Sequence, residues 1–171
     1  DVLRPYQVDR LTSFVDSGGD RTQSGYQLEQ SKVAIGSGGA FGKGPSGATQ
    51  TINDFLPEHH TDFIFAVVAE MFGFLGGGLL IAAYFIIIWR AIVIMRLAPT
   101  ELERLVVAGI AAMLAFEVFV NIGMNVGIMP ITGIPLPFMS YGGSHTLTNL
   151  AAAGVLLRIG RRGRAAAPAV A

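Results

Sequence analysis

Cysteine is missing from the 171-residue chain. That excludes disulfide frameworks, thiolate nucleophiles and cysteine-ligated metal centres, and it leaves the redox compartment unread. Charge is nearly as scarce. Asp, Glu, Lys and Arg make up only 14% of the residues, 12 acidic against 12 basic, and this balance supplies no clustered basic face for a nucleic acid. Hydrophobic residues amount to 51% and the mean hydropathy is +0.53, too apolar for an ordinary soluble domain and typical of a membrane protein. The chain starts at Asp1 without a signal-peptide pattern, and its first sixty residues are the polar part. The expectation is one piece of a larger chain whose earlier membrane spans lie elsewhere.

The pattern predicts an all-α polytopic membrane protein: a large extracytoplasmic loop, residues 1–62, followed by three transmembrane helices and a cytoplasmic tail within residues 63–171. In the loop, Val8, Leu11, Phe14 and Val15 have helical spacing suited to a short helix on the membrane surface. Residues 27–35 suggest a second short helix, stopped by Gly36-Ser37-Gly38-Gly39, and residues 36–50 read as loop. The three apolar runs cover about 63–95, 105–128 and 138–159, each long enough for a hydrocarbon core of roughly 30 Å. Gly73, Gly76, Gly77 and Gly78 predict a kink, tilt or extension in the first run. Arg90, Arg96 and Arg104 between the first two runs, and Arg158, Arg161, Arg162 and Arg164 after the third, place both groups in the cytoplasm by the positive-inside rule. Residues 1–62 and the 129–137 loop then share the outer face.

Few polar residues interrupt these runs. Glu117, Asn121 and Asn125 recur every four residues and form one stripe on the second run, and His145 pairs with Asn149 on the third. Such groups face the protein interior or a hydrated cavity, either as part of a site or as interhelical glue. Gly73/Gly77 and Gly123/Gly127 have the small-xxx-small spacing of close helix packing. Glu70 lies eight residues after Asp62, about 12 Å along the same helix, so the two do not form a glycosidase-style carboxylate pair. Gly42-Lys43-Gly44-Pro45-Ser46-Gly47 matches G-x-G-x-x-G but lacks the strand and βαβ unit that give the motif meaning. Glu58, His59, His60 and Asp62 are metal-ligand types whose spacing fits no zinc signature, and no metal site is assigned.

Asp62 stands where the polar, glycine-rich segment meets the first apolar run. A carboxylate there can reach a water-soluble reacting centre and a lipid-anchored one together, as a general base on lipid-linked substrates must. Thr61 and Asp62 are equally good helix N-caps, and the helix dipole favours a negative charge at that position. Both readings stand at this point.

The segments Gly36-Ser37-Gly38-Gly39-Ala40-Phe41-Gly42-Lys43-Gly44 and Phe55-Leu56-Pro57-Glu58-His59-His60-Thr61-Asp62-Phe63-Ile64-Phe65 resemble the SEDS (shape, elongation, division and sporulation) family. So do Asn121-Ile122-Gly123-Met124, Thr132-Gly133-Ile134-Pro135-Leu136-Pro137-Phe138 and Ser140-Tyr141-Gly142-Gly143-Ser144. The motifs run in the family's order over nearly the whole chain and are most similar to the RodA branch, with FtsW next. The resemblance implies ten membrane helices in a full member, of which this chain would supply the C-terminal portion. The chain departs from the family where Ala69-Glu70-Met71 stands for Gly-Glu-Glu, where Glu117 replaces Gln and where His145 replaces Ser.

The same resemblance implies a peptidoglycan glycosyltransferase of the bacterial cytoplasmic (inner) membrane. It would polymerise lipid II on the outer face, for elongation and cell shape, with a class B penicillin-binding protein as partner. The family's essential loop aspartate corresponds to Asp62, read as general base in an inverting hexosyl transfer from a polyprenyl-pyrophosphate donor. Lys43 and Lys32 are candidates for the pyrophosphate, with a divalent cation (Mg or Mn) as the one cofactor under consideration. Glu58 and His60 are candidates for orienting the acceptor, and Glu70, Glu117 and Asn121 for lining the substrate cavity. The alternatives are a lipid II flippase or transporter, routed past Glu70, Glu117, Asn121 and Asn125, and a scaffold that docks the penicillin-binding protein.

Overall fold

Proline-free apolar runs satisfy their backbone in hydrocarbon by closing it into helices. All regular structure among the described residues is accordingly helical. A computed structural model describes residues 23–44, 46–48 and 61–166. Helix α1 is Gln23–Ser37, α2 Ile64–Leu97, α3 Glu101–Val126 and α4 Gly143–Ala166. The surface helix expected around residues 8–15 lies outside the described residues, as do Glu58, His59 and His60. Helix α1 is the expected short helix, extended at both ends.

Helices α2 and α3 are each long and apolar enough to cross a membrane. They form an antiparallel hairpin through Ala98-Pro99-Thr100, where Thr100 caps α3 by accepting a hydrogen bond from the Glu103 amide at 3.2 Å. Gly127, in the left-handed conformation, ends α3. Helix α4 starts later than the hydrophobic run suggests, because residues 138–142 remain outside it, with Phe138 at φ 62°. It ends later too, running on through its arginines to Ala166.

An apolar cluster of Ala91, Ala98, Val107, Ala111, Leu114, Leu156 and Ile159 ties α2, α3 and α4 together at the arginine-rich end. Close approach there is set by Gly163, where a β-carbon would stand 2.3 Å from the Leu97 carbonyl oxygen. At the opposite end Phe63, Ala66 and Val67 of the α2 head pack on Ala34 of α1. Large apolar side chains, among them Phe74, Leu79, Phe85, Trp89, Phe116 and Phe119, face outward from α2 and α3, as lipid contact requires.

The expected distortion of α2 is a true break at a single residue. Gly73 has φ 68° and ψ −165°, whereas Gly76, Gly77 and Gly78 stay helical. A break strands carbonyls on one side and amides on the other. The 38–44 loop satisfies both sets: the Lys43 and Gly44 amides donate to the Glu70 and Met71 carbonyls at 3.1 and 3.0 Å, and the Phe74 and Leu75 amides donate to the Gly39 and Ala40 carbonyls at 2.8 and 3.1 Å. The backbones must nearly touch for this. A β-carbon on Gly73 would stand 2.3 Å from the Gly42 nitrogen, and one on Gly42 would stand 2.1 Å from the Met71 oxygen. Gly73 thus serves loop insertion. Gly123 and Gly127 also differ from the helix-packing expectation, since Gly123 meets Met129 and Gly127 meets Lys32.

Candidate active site at the head of α2

The helix cap of α2 falls on Phe63, not on Thr61 or Asp62, and no side chain of the cap residue closes the turn. Residue 62 therefore lies just before the helix, half-buried, and the N-cap reading of Asp62 does not hold. The reason is visible one helix away. Asn121 and Asn125, both fully buried on α3, donate from Nδ2 to the Asp62 carbonyl at 3.0 and 3.1 Å. Asn125 Oδ1 accepts from the Ala66 amide at 3.3 Å and from the Ser31 hydroxyl of α1 at 3.3 Å. The Ser31 hydroxyl is also within 2.9 Å of the Asn125 carbonyl oxygen.

The preceding carbonyl is held as well. Ser140 Oγ donates to the Thr61 oxygen at 2.5 Å and accepts from the Leu136 amide at 2.7 Å. Asn121 Nδ2 reaches the Ile134 carbonyl at 2.9 Å, and the Tyr84 hydroxyl donates to the Pro137 carbonyl at 2.5 Å. These bonds bind the loop after α3 to the head of α2. They bring Gly133 against the Asp62 carboxylate, where a β-carbon at that position would lie 3.5 Å from Oδ2. Beside this assembly an open groove of about 850 Å³, lined by Ile64, Tyr141, Gly142, Gly143, Thr146 and Leu147 among others, separates the heads of α2 and α4. Tyr141 is 82% exposed there.

The other candidates divide into groups. Glu70 is fully buried in the short first segment of α2. Its backbone carbonyl meets the amide of Lys43, whose side chain is exposed. Lys32 crosses the C-terminus of α3: a β-carbon on Gly127 would stand 2.2 Å from its Cε and 2.6 Å from its Nζ. There the helix dipole favours its charge. Glu117 faces His145 across the α3–α4 seam, and His145 Nε2 lies 2.9 Å from Asn149 Nδ2. Asn121 joins Asp62 through its backbone. Ser140, Gly133 and Asn125 were legible only as members of motifs or of the four-residue stripe, although that spacing already put Asn125 on the face of Asn121. No three carboxylate or imidazole groups converge among the described residues, so no residue set for a divalent cation is assigned.

A family profile described as Cell cycle protein, covering FtsW, RodA and SpoVE, matches residues 2–165. The chain is 44% identical over 160 residues to Stage V sporulation protein E of Bacillus subtilis, covering 94% of this chain and 43% of that protein. It is 44% identical over 158 residues to the peptidoglycan glycosyltransferase MrdB of Escherichia coli K12, covering 92% of this chain and 43% of the relative. A solved chain, from work on the structural coordination of polymerization and crosslinking by a peptidoglycan synthase complex, superposes with a TM-score of 0.76 at 34% identity, over 94% of this chain and 43% of its own. The chain thus spans less than half the length of these relatives. With the match running from the polar loop through α4, the chain belongs to the FtsW, RodA and SpoVE family of cell cycle proteins.

Proposed function

We propose that this chain carries the base-bearing part of a peptidoglycan glycosyltransferase that polymerises lipid II into glycan strands. The observation that carries the reading is the placement of Asp62. It lies at the head of a long apolar helix on a backbone held by buried side chains, and Ile64 and Ser140, two residues on and one bond away from that backbone, line an open groove. The similarity to MrdB of Escherichia coli, a peptidoglycan glycosyltransferase by name, supports the same reaction class.

In that reaction the Asp62 carboxylate takes the proton of the acceptor GlcNAc 4-hydroxyl. The oxygen attacks the anomeric carbon of the donor MurNAc, and the bond to undecaprenyl pyrophosphate breaks with its electron pair on the leaving phosphate. An α-linked donor becomes a β-1,4 product in one displacement, which needs one base and stabilisation of the leaving group. Lys43, at the loop inserted into α2, and Lys32, over the end of α3, are the candidates for that second role. An apolar groove of about 390 Å³ at the α2 break, lined by Ile35, Phe65, Gly73, Phe74, Ile81 and Ile122 among others, suits a polyprenyl chain.

The arginine-bearing ends of α2, α3 and α4 collect together, as Arg162 with Glu103 and Gly163 with Leu97 record. The positive-inside rule then puts that end and the C-terminus in the cytoplasm, α4 as a third crossing, and Asp62 on the outer face of the cytoplasmic membrane. A class B penicillin-binding protein is the proposed partner, in keeping with the polymerization and crosslinking complex.

A transport reading has one observation in its favour: Glu117 Oε2 and Asn149 Oδ1 are buried acceptors without a hydrogen-bond partner among the described residues, as a polar path would require. Asp62→Asn separates the two. Lipid II polymerisation by the full-length protein with its partner is expected to fall at least about 100-fold while the complex survives. Polymerisation near the wild-type rate would sink the enzyme reading and advance transport or docking.

A further inference from the structure

The first turn of α2 is closed in an unusual way. The Ala66 amide donates to Asn125 Oδ1, and Asn125 Nδ2 donates to the Asp62 carbonyl. One side-chain amide from another helix thus occupies the place of the first i→i−4 bond of α2. Asn121 adds a second donor to the same carbonyl and a third contact to Ile134. The two asparagines are themselves joined, Asn125 Nδ2 to the Asn121 carbonyl at 2.8 Å. Both are wholly shielded from solvent, so neither can touch a substrate in this arrangement.

We propose that Asn125 and Asn121 are positioning residues, an amide splice that sets where the Asp62 carboxylate stands. The inference rests on the reading of Asp62 as base and deepens it. Its physical content is a choice between two closures of one turn. With the amide inserted, residue 62 is held off the helix and against Gly133. Without it, the Ala66 amide and the Asp62 carbonyl are free to bond each other directly, which draws residue 62 into the helix and its carboxylate away from the loop. A displacement of about 1 Å at a reacting group is worth up to about 100-fold in rate. Asparagine fits because one planar amide offers an acceptor to Ala66 and donors to Asp62. Aspartate keeps the acceptor, loses the donors and sets a charge against a carbonyl.

The test uses the full-length protein with its partner and has two arms. In the first, Asn125→Ala and Asn125→Asp are expected to lower kcat for lipid II polymerisation about 10- to 100-fold, with KM within about twofold of wild type. Leu114→Ala, buried midway along α3 in the apolar cluster and about 16 Å along the axis from Asn125, should leave kcat unchanged. In the second, Asp62→Cys is labelled with a membrane-impermeant maleimide. These 171 residues contain no other thiol, and cysteines elsewhere in the protein are removed. Adding Asn125→Ala should change the labelling rate at least about fivefold, and adding Leu114→Ala should not. If Asn125→Ala does not fold, Asn121→Ala, which removes one of the two bonds to the Asp62 carbonyl, goes through both arms with a smaller expected change. An unchanged labelling rate overturns the splice, and so does a changed rate with normal kcat. Should Asp62→Asn itself polymerise normally, the base reading falls, while the labelling arm still judges whether Asn125 places residue 62.

Discussion

The two ends of the α2–α3 hairpin are held by different forces. At the arginine-rich end, small and aliphatic side chains from three helices interlock, with an exposed Arg104–Glu101 pair and an Arg162–Glu103 pair half-buried on the glutamate side. At the Asp62 end, buried amides and hydroxyls of Asn121, Asn125, Ser140 and Tyr84 bond to backbone carbonyls of residues 61, 62, 134 and 137. Apolar packing is non-directional and accepts small shifts. Hydrogen bonds to a carbonyl fix distance and angle, and a fully satisfied buried network specifies one arrangement. The end that carries Asp62 adds directional bonds to its apolar packing, and the arginine-rich end relies mainly on packing.

The contrast can be broken by substitution. The largest expected effect is at the α2 break. Gly73→Ala should destabilise the protein by about 3–5 kcal/mol, from backbone strain together with a β-carbon driven into the loop, read as the shift of the unfolding transition in detergent. Polymerisation should fall with it, because the loop and the α2 head move together. Leu114→Ala tests the apolar end. Lipid is as apolar as leucine, so mainly the cavity contribution survives, and a loss of about 1–3 kcal/mol is expected. Activity per folded molecule should stay at the wild-type value. The smallest effect belongs to Arg104→Ala, whose side chain is about half exposed and whose partner Glu101 is more so. Stability should change by less than about 1 kcal/mol, and the difference should shrink in high salt. A large loss of activity per folded molecule in Leu114→Ala would erase the distinction between the two ends.

How far the sequence could be read follows the same division. Helices α2 and α3 were legible to within about a turn, because long proline-free apolar runs allow little else. The start of α4 was misplaced because Phe138 and Met139 extend the hydrophobic pattern without joining the helix. Four glycines signalled a distortion of α2, yet only the 38–44 loop decides that Gly73 carries it, and that partnership spans some thirty residues of separation. The stripe of Glu117, Asn121 and Asn125 was visible as a spacing. Its two asparagines turn toward the backbone of residue 62, whereas Glu117 turns to α4. Spacing reports a face of a helix; it does not name the carbonyl that the face will meet.

Covalent continuity and mechanical continuity part company at Gly73. The peptide chain runs unbroken from the head of α2 into its long apolar shaft, but the torsional stiffness of a helix resides in its hydrogen-bond ladder, and that ladder changes partners at the break. The segment 64–72 is geared to the glycine loop and to α3. The shaft 74–97 joins that head through the loop, through the Tyr84 bond to Pro137 and through its packing on α3. The loop is therefore a coupling between two shafts, one of the three routes by which a shift of the shaft is passed to the segment that carries the carboxylate.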